Sequence, residues 1–328
     1  MQLISILLFI RRYKKTVIYG LKLLFTAVFA LLVYLQISKR IDFASIYPIF
    51  KDTFFQTLFS PIALLVFLFT LANWALESLK WRILLKPIEA ISWKASFKSI
   101  LSGLPFAIIT PNRVGEFGGR ILVLSPENRK KGTFATWVGG WFQGYVTFFA
   151  GIPGLFVFKE DLERYFGLSF TVINIVYVIV VCLMPLVVVA IKMNASRFLL
   201  EPLQFLIHYT PKIIWKIIGL SALRYFIFCL QWMLLVVAVS NTFEWKLLLL
   251  MIPLSFAMST ILSFISLLEP VQRASVTMIL GLAVGLEGIA SQVAVCGFVL
   301  WCINLLVPSL AGLILIWIQP IAGKNDLD

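Results

Sequence analysis

The chain has 328 residues, with 28 lysines and arginines against 15 aspartates and glutamates, a formal charge of +13. Only 13% of its residues are charged and 61% are hydrophobic, with a mean hydropathy of +0.98, whereas soluble domains carry about 25% charged residues. This composition excludes a water-soluble globular domain and predicts an all-α polytopic membrane bundle, a single domain over 1–328 with about seven to nine membrane segments of roughly 20 apolar residues each.

The basic residues flank apolar runs instead of forming a stripe. They are therefore assigned to cytoplasmic loops facing anionic lipid headgroups, and nucleic acid is not an expected partner. Arg11, Arg12, Lys14 and Lys15 precede a first span at about 16–36, which places the N-terminus inside. Residues 41–55 read as an interfacial piece on the far side, and a second span runs over about 58–79. Lys80, Arg82, Lys86, Lys94 and Lys98 then mark a return to the cytoplasm.

Residues 99–110 are apolar but only half as long as a span, with positive charge on both sides. That arrangement predicts a re-entrant segment, and irregular backbone at membrane depth is tolerated only inside protein or along a wet cavity. Further spans are expected over about 133–158 and 168–191, separated by the acid-rich external loop KEDLERYF. Arg197, Lys212 and Lys216 mark the cytoplasm again, and spans follow at about 213–239 and 246–268. A short glycine-bearing apolar stretch at 276–286 and a long run at 289–318 complete the chain.

One internal echo stands out: ILSGLPFAIITPNR at 100–113 aligns with ILSFISLLEPVQR at 261–273, allowing one gap. Apolar sequence of low complexity produces such echoes by chance. A true repeat would divide the chain into halves of about 1–165 and 166–328. Two proline-interrupted short segments at corresponding positions are the pattern of a transporter-type binding site.

The stretch TPNRVGEFGGR carries the most chemistry. Pro111 breaks the helix before it, while Gly115, Gly118 and Gly119 permit close backbone approach or positive φ. Arg113 and Arg120 offer guanidinium forks suited to phosphate, and Glu116, three residues from one and four from the other, shares their helical face. Two readings stand side by side, a site for an anionic headgroup and a solvated cytoplasmic loop. Arg224 lies deepest within an apolar run. Glu269, Pro270 and Arg273 occupy the corresponding place in the second half, whereas Glu77, one turn from Lys80, reads as a snorkelling helix-end pair.

Cys182, Cys229, Cys296 and Cys302 all lie in apolar runs without a CxxC, and His208 is the single histidine, so neither a metal site nor a cofactor is expected. No GxxxxGK(S/T) supports an ATPase and no GxSxG a hydrolase, so no catalytic residue is assigned.

The core P-x-R-x-G-E formed by Pro111, Arg113, Gly115 and Glu116 resembles the lysylphosphatidylglycerol synthase transmembrane family of flippase-like proteins. So does the order of elements around it: a basic N-terminus, a Trp-containing second span ending in Lys80–Trp81–Arg82, then the short segment and motif. The similarity covers nearly the whole chain. Where many members carry P-G-G-x-G in the second half, this chain has ISLLEPVQRAS.

The resemblance implies an inner-membrane protein that binds or translocates lipids, without the aminoacylation that belongs to a separate soluble domain. Its partners would be membrane lipids and envelope-biosynthesis enzymes. A lipid-linked transferase using carboxylates and a non-transporting scaffold are the alternatives.

Overall fold

The computed structural model describes Lys51, Phe55 and residues 61–110, 113–166, 208–240, 245–262 and 269–318. The spans expected at 16–36 and 168–191, the interfacial piece (Lys51 and Phe55 apart), Cys182 and the break at Pro111 lie outside the described residues. Within them the protein is helical throughout, with no strand.

The elements in chain order are α1 (Pro61–Leu85), α2 (Trp93–Ile109), α3 (Gly115–Ile121), α4 (Arg129–Val157), α5 (Lys159–Phe166), α6 (Pro211–Ser240), α7 (Trp245–Leu262), α8 (Glu269–Ala283), α9 (Ala290–Trp301) and α10 (Val307–Ile318). A π turn over Cys302–Leu306 joins the last two into one apolar rod. Among the described residues three rods are long and apolar enough to cross a membrane: α1, α6 and Ala290–Ile318. A fourth results if Pro126–Val157 and Lys159–Tyr165, bent by 81°, form one broken span. The expected external loop KEDLERYF is helix α5 beyond that bend.

The start and stop of α2 follow from local chemistry. Ser92 caps it by accepting from the Ala95 amide at 3.1 Å, and Thr110 ends it in an extended conformation. The Thr110 hydroxyl donates back to the Phe106 carbonyl and accepts from the Gly115 amide, each at 2.7 Å. Arg113 then turns the chain with φ of 58°, a left-handed conformation costing a non-glycine residue about 1–2 kcal/mol. The sharp turn thus falls on an arginine, not on one of the three glycines.

Gly115 and Gly119 serve contact instead. A Cβ on Gly119 would sit 2.4 Å from Gly103 Cα, and one on Gly115 would sit 2.4 Å from the Phe106 carbonyl oxygen. Gly118 has open space around it, and nothing in the structure requires glycine there. With Ser99 Oγ donating to the Arg120 carbonyl at 2.5 Å, α3 runs back along α2 as a tight helical hairpin.

α1 and α6 pack antiparallel: Arg224 pairs with Asn73 and Glu77, and two turns further along α6 Gln231 pairs with Val66 and Thr70. Around this pair the packing is exchanged. α4, which follows the α2–α3 hairpin, packs on α7, and α10, which follows the α7–α8 pair, packs on α2.

Two apolar clusters result. One gathers Trp81, Leu84, Ile100, Leu104, Val138, Ile217 and Leu313; the other gathers Leu155, Trp232, Leu235, Leu248, Met251 and Cys296. The long helices α4 and α6 contribute to both, and their residues Gln143 and Arg224 fall between the two contributions. At the turn before α6, burial pushes the Tyr209 phenol above its ordinary pKa, so it remains a donor, here to the Leu84 carbonyl.

Candidate functional site

The six charged residues singled out from the sequence, Arg113, Glu116, Arg120, Arg224, Glu269 and Arg273, all line one cavity of about 720 Å³. They come from four separate places: the α2–α3 turn, α3, α6 and α8. Glu77 and Lys80 of α1 line it with them. The remaining wall is largely aromatic and aliphatic, including Trp74, Trp137, Trp141, Phe148, Phe228, Phe256 and Trp301.

Glu77 is the hub. Its Oε1 accepts from Arg120 Nη1 at 2.8 Å, and its Oε2 pairs with Lys80 Nζ at 2.8 Å and with Arg224 Nη1. Arg120 in turn reaches Glu116 through Nη2, and Arg113 lies 3.3 Å from the other Glu116 oxygen. Amides close the ring. Asn73 Oδ1 accepts from Arg224 Nε at 2.7 Å, and Gln143 Oε1 accepts from Lys80 at 3.4 Å and Arg224 at 3.3 Å. Arg224 also lies 5.8 Å from the ring centres of Trp74 and Phe228, where the negative ring faces stabilise its charge.

A buried charge is tolerated only when it is paired and hydrogen-bonded. Here four cations and two carboxylates interlock so that each carboxylate serves more than one cation. Lys80 is 1% exposed. It therefore belongs to the buried network and is neither a marker of the cytoplasm nor half of a snorkelling pair, because α1 continues past it to Leu85.

The second charged group is simpler. Arg273 Nη2 donates to Glu269 Oε1 at 2.6 Å, one turn away on α8, and the guanidinium stacks 4.6 Å from the Phe256 ring centre. Pro270 sits in the first turn of α8, where its missing N–H leaves no helical bond unmade. The segment before it lies outside the described residues.

A further polar chain extends from the cavity wall. Asn304 Nδ2 donates to Gln231 Oε1 at 3.2 Å, Gln231 Nε2 donates to Val66 O at 2.8 Å and Thr70 Oγ1 at 2.9 Å, and Trp74 Nε1 donates to Asn304 O at 3.1 Å. Asn304 stands in the π turn, a distortion that recurs where a helix serves a site.

Sequence reasoning passed over Glu77, Lys80, Gln143 and Asn304 as site residues. The amides carried a usable signal, since each interrupts an otherwise apolar run. Among the described residues no group of three His, Cys, Asp or Glu is arranged to hold a metal ion.

Chemically, the cavity offers multidentate cationic donors beside an aromatic wall, a surface for an amphiphile with an anionic head. No protein-family model, curated protein or solved structure matches the chain.

Proposed function

We propose that this chain is a flippase-like membrane protein that binds and translocates a lipid with an anionic or aminoacylated headgroup. In this account the headgroup enters the charged cavity while its acyl chains stay along the apolar wall and in the bilayer. The single observation that carries it is the convergence of charged residues from both halves of the chain on one cavity with an aromatic wall. A charge at the bilayer centre costs about 2.5–3.5 kcal/mol on insertion scales, so a set this large is retained for an ion or headgroup path.

The finer architecture belongs to the same proposal. The chain forms seven to nine membrane segments in an inner membrane, N-terminus cytoplasmic, with α2–α3 as a re-entrant hairpin. Its halves are an inverted repeat. Three observations support the repeat. The sequence echo starts at an offset of 161 residues, Ile100 to Ile261, and ends at 160, Arg113 to Arg273. The 29-residue rods Arg129–Val157 and Ala290–Ile318 differ by the same 161, which makes Gln143 and Asn304, both on the cavity wall, the fifteenth residue of each. Finally, the packing of each half's rod on the other half's hairpin, around an antiparallel central pair, is what an in-plane two-fold relation produces.

The experiment is lipid translocation in proteoliposomes with headgroup-labelled anionic and aminoacylated lipids, wild type beside Arg113→Ala and Glu116→Gln. Wild-type movement that both folded variants lose supports the proposal. Correctly inserted protein that moves no lipid overturns it.

A further inference from the structure

Around the cavity, charge and hydrogen-bonding capacity are both unbalanced, and in the same direction. Lys80, Arg113, Arg120, Arg224 and Arg273 face three carboxylates, Glu77, Glu116 and Glu269. Among the described residues, five formal positive charges against three negative leave an excess of two. The four arginines are permanently protonated, so one of the two excess charges cannot be relieved by losing a proton, and the other is carried by Lys80 in its ion pair with Glu77.

The hydrogen-bond inventory of the same wall points the same way. Three buried donor atoms on the cavity residues have no hydrogen-bond partner among the described residues: Arg120 Nε, Arg273 Nε and Trp301 Nε1. Arg120 is itself 5% exposed. Among the described residues Asn304 Oδ1 is an acceptor on the same wall without a partner. A buried donor left without an acceptor is costly, so each such group in a native structure calls for an acceptor from water, an ion or a ligand.

We infer that the headgroup bound here carries two negative charges on terminal phosphate oxygens, as a phosphomonoester or a diphosphate does, instead of the single charge of a phosphodiester. Two charges neutralise the excess, where a phosphodiester leaves one cation uncompensated in a low-dielectric site. A phosphomonoester also presents three terminal oxygens, each able to accept from a guanidinium or indole N–H, where a diester presents two. A cationic aminoacyl group would add to the excess and is disfavoured.

The inference rests on the lipid-binding proposal above and sharpens its substrate class. A soluble phosphate ester carries the same head chemistry, and the aromatic wall favours the lipid source.

The test is binding to the purified full-length chain in detergent at pH 8, read by tryptophan fluorescence, since Trp74, Trp137, Trp141 and Trp301 line the cavity. The probes are short-chain phosphatidate, short-chain phosphatidylglycerol, glycerol 3-phosphate and inorganic phosphate. Phosphatidate should bind more tightly than phosphatidylglycerol by on the order of tenfold or more. Arg273→Gln and Arg113→Gln each remove one positive charge at the less buried positions, and each should shrink that preference several-fold.

Equal or tighter binding of phosphatidylglycerol overturns the two-charge inference and leaves lipid binding standing. Binding of neither lipid, nor of the soluble esters, overturns both. Glycerol 3-phosphate binding as tightly as phosphatidate supports the two-charge inference and overturns the lipid source.

Discussion

The α3 side and the α8 side of the cavity start from similar sequence and end in different physical situations. On the α3 side, Glu77, Lys80, Arg120 and Arg224 are each at most 7% exposed and interlock across three helices. On the α8 side, Glu269 and Arg273 form one pair within a single helix, and their side chains keep 13% and 16% of their exposure. The first network holds α1, α3 and α6 together. The second costs little to open, because its partners stay on one helix when the pair separates. Under the proposed function, an anion that must bind and leave would be served by both: a fixed positive wall on one side and an exchangeable arginine on the other.

The largest expected effect tests the fixed side. Glu77→Ala removes the common partner of three buried cations, and breaking buried pairs in this way costs about 3–5 kcal/mol. Thermal unfolding in detergent should show a severe loss of stability or of folded yield. Near wild-type melting would mean the α1 network does not hold the bundle together.

Next comes the hairpin that carries Glu116 and Arg120. Gly119→Leu drives a side chain into the Gly103 backbone and should destabilise by about 1–3 kcal/mol, with Gly118→Leu as the control in open space. Equal melting of the two variants would contradict the close crossing of α2 and α3.

Asn304→Leu removes a donor to Gln231 and leaves the Gln231 carbonyl oxygen unpaired, for a loss of about 1–3 kcal/mol by the same thermal measurement. The smallest effect belongs to the α8 side. Glu269→Ala should cost about 1 kcal/mol, since it removes the partner of one cation within one helix. A cost as large as that of Glu77→Ala would erase the distinction between the two sides.

Much of this arrangement is legible in the sequence, and the parts that are not have a physical reason. Length and apolar content find the rods α6 and 290–318 to within two residues, whereas α1 runs six residues past its expected end. The conjunction of Pro111, the glycines and the paired charges marks the α2–α3 turn. The site residues Arg113, Glu116, Arg120, Arg224, Glu269 and Arg273 follow from charge placed in or beside apolar runs.

From sequence alone Glu77 reads as half of an ordinary i,i+3 surface pair, because Lys80 is its nearest partner there. The partners that turn it into a hub lie 43 and 147 residues away and arrive only through packing. The left-handed turn at Arg113 is equally hidden in the sequence, since three glycines nearby are the expected carriers of a positive φ. They are spent instead, at 115 and 119, on bringing two backbones together.

The central claim is that a lipid headgroup occupies this cavity, and photocrosslinking tests it most directly. Full-length protein in liposomes would be irradiated with a phospholipid carrying a diazirine in its headgroup, and the labelled peptides mapped. The predicted result is labelling of cavity-wall residues such as Trp137, Trp141 and Trp301, suppressed by unlabelled lipid. Labelling confined to outward-facing side chains such as Phe149, Leu310 and Ile314, with none on the cavity wall, would contradict it.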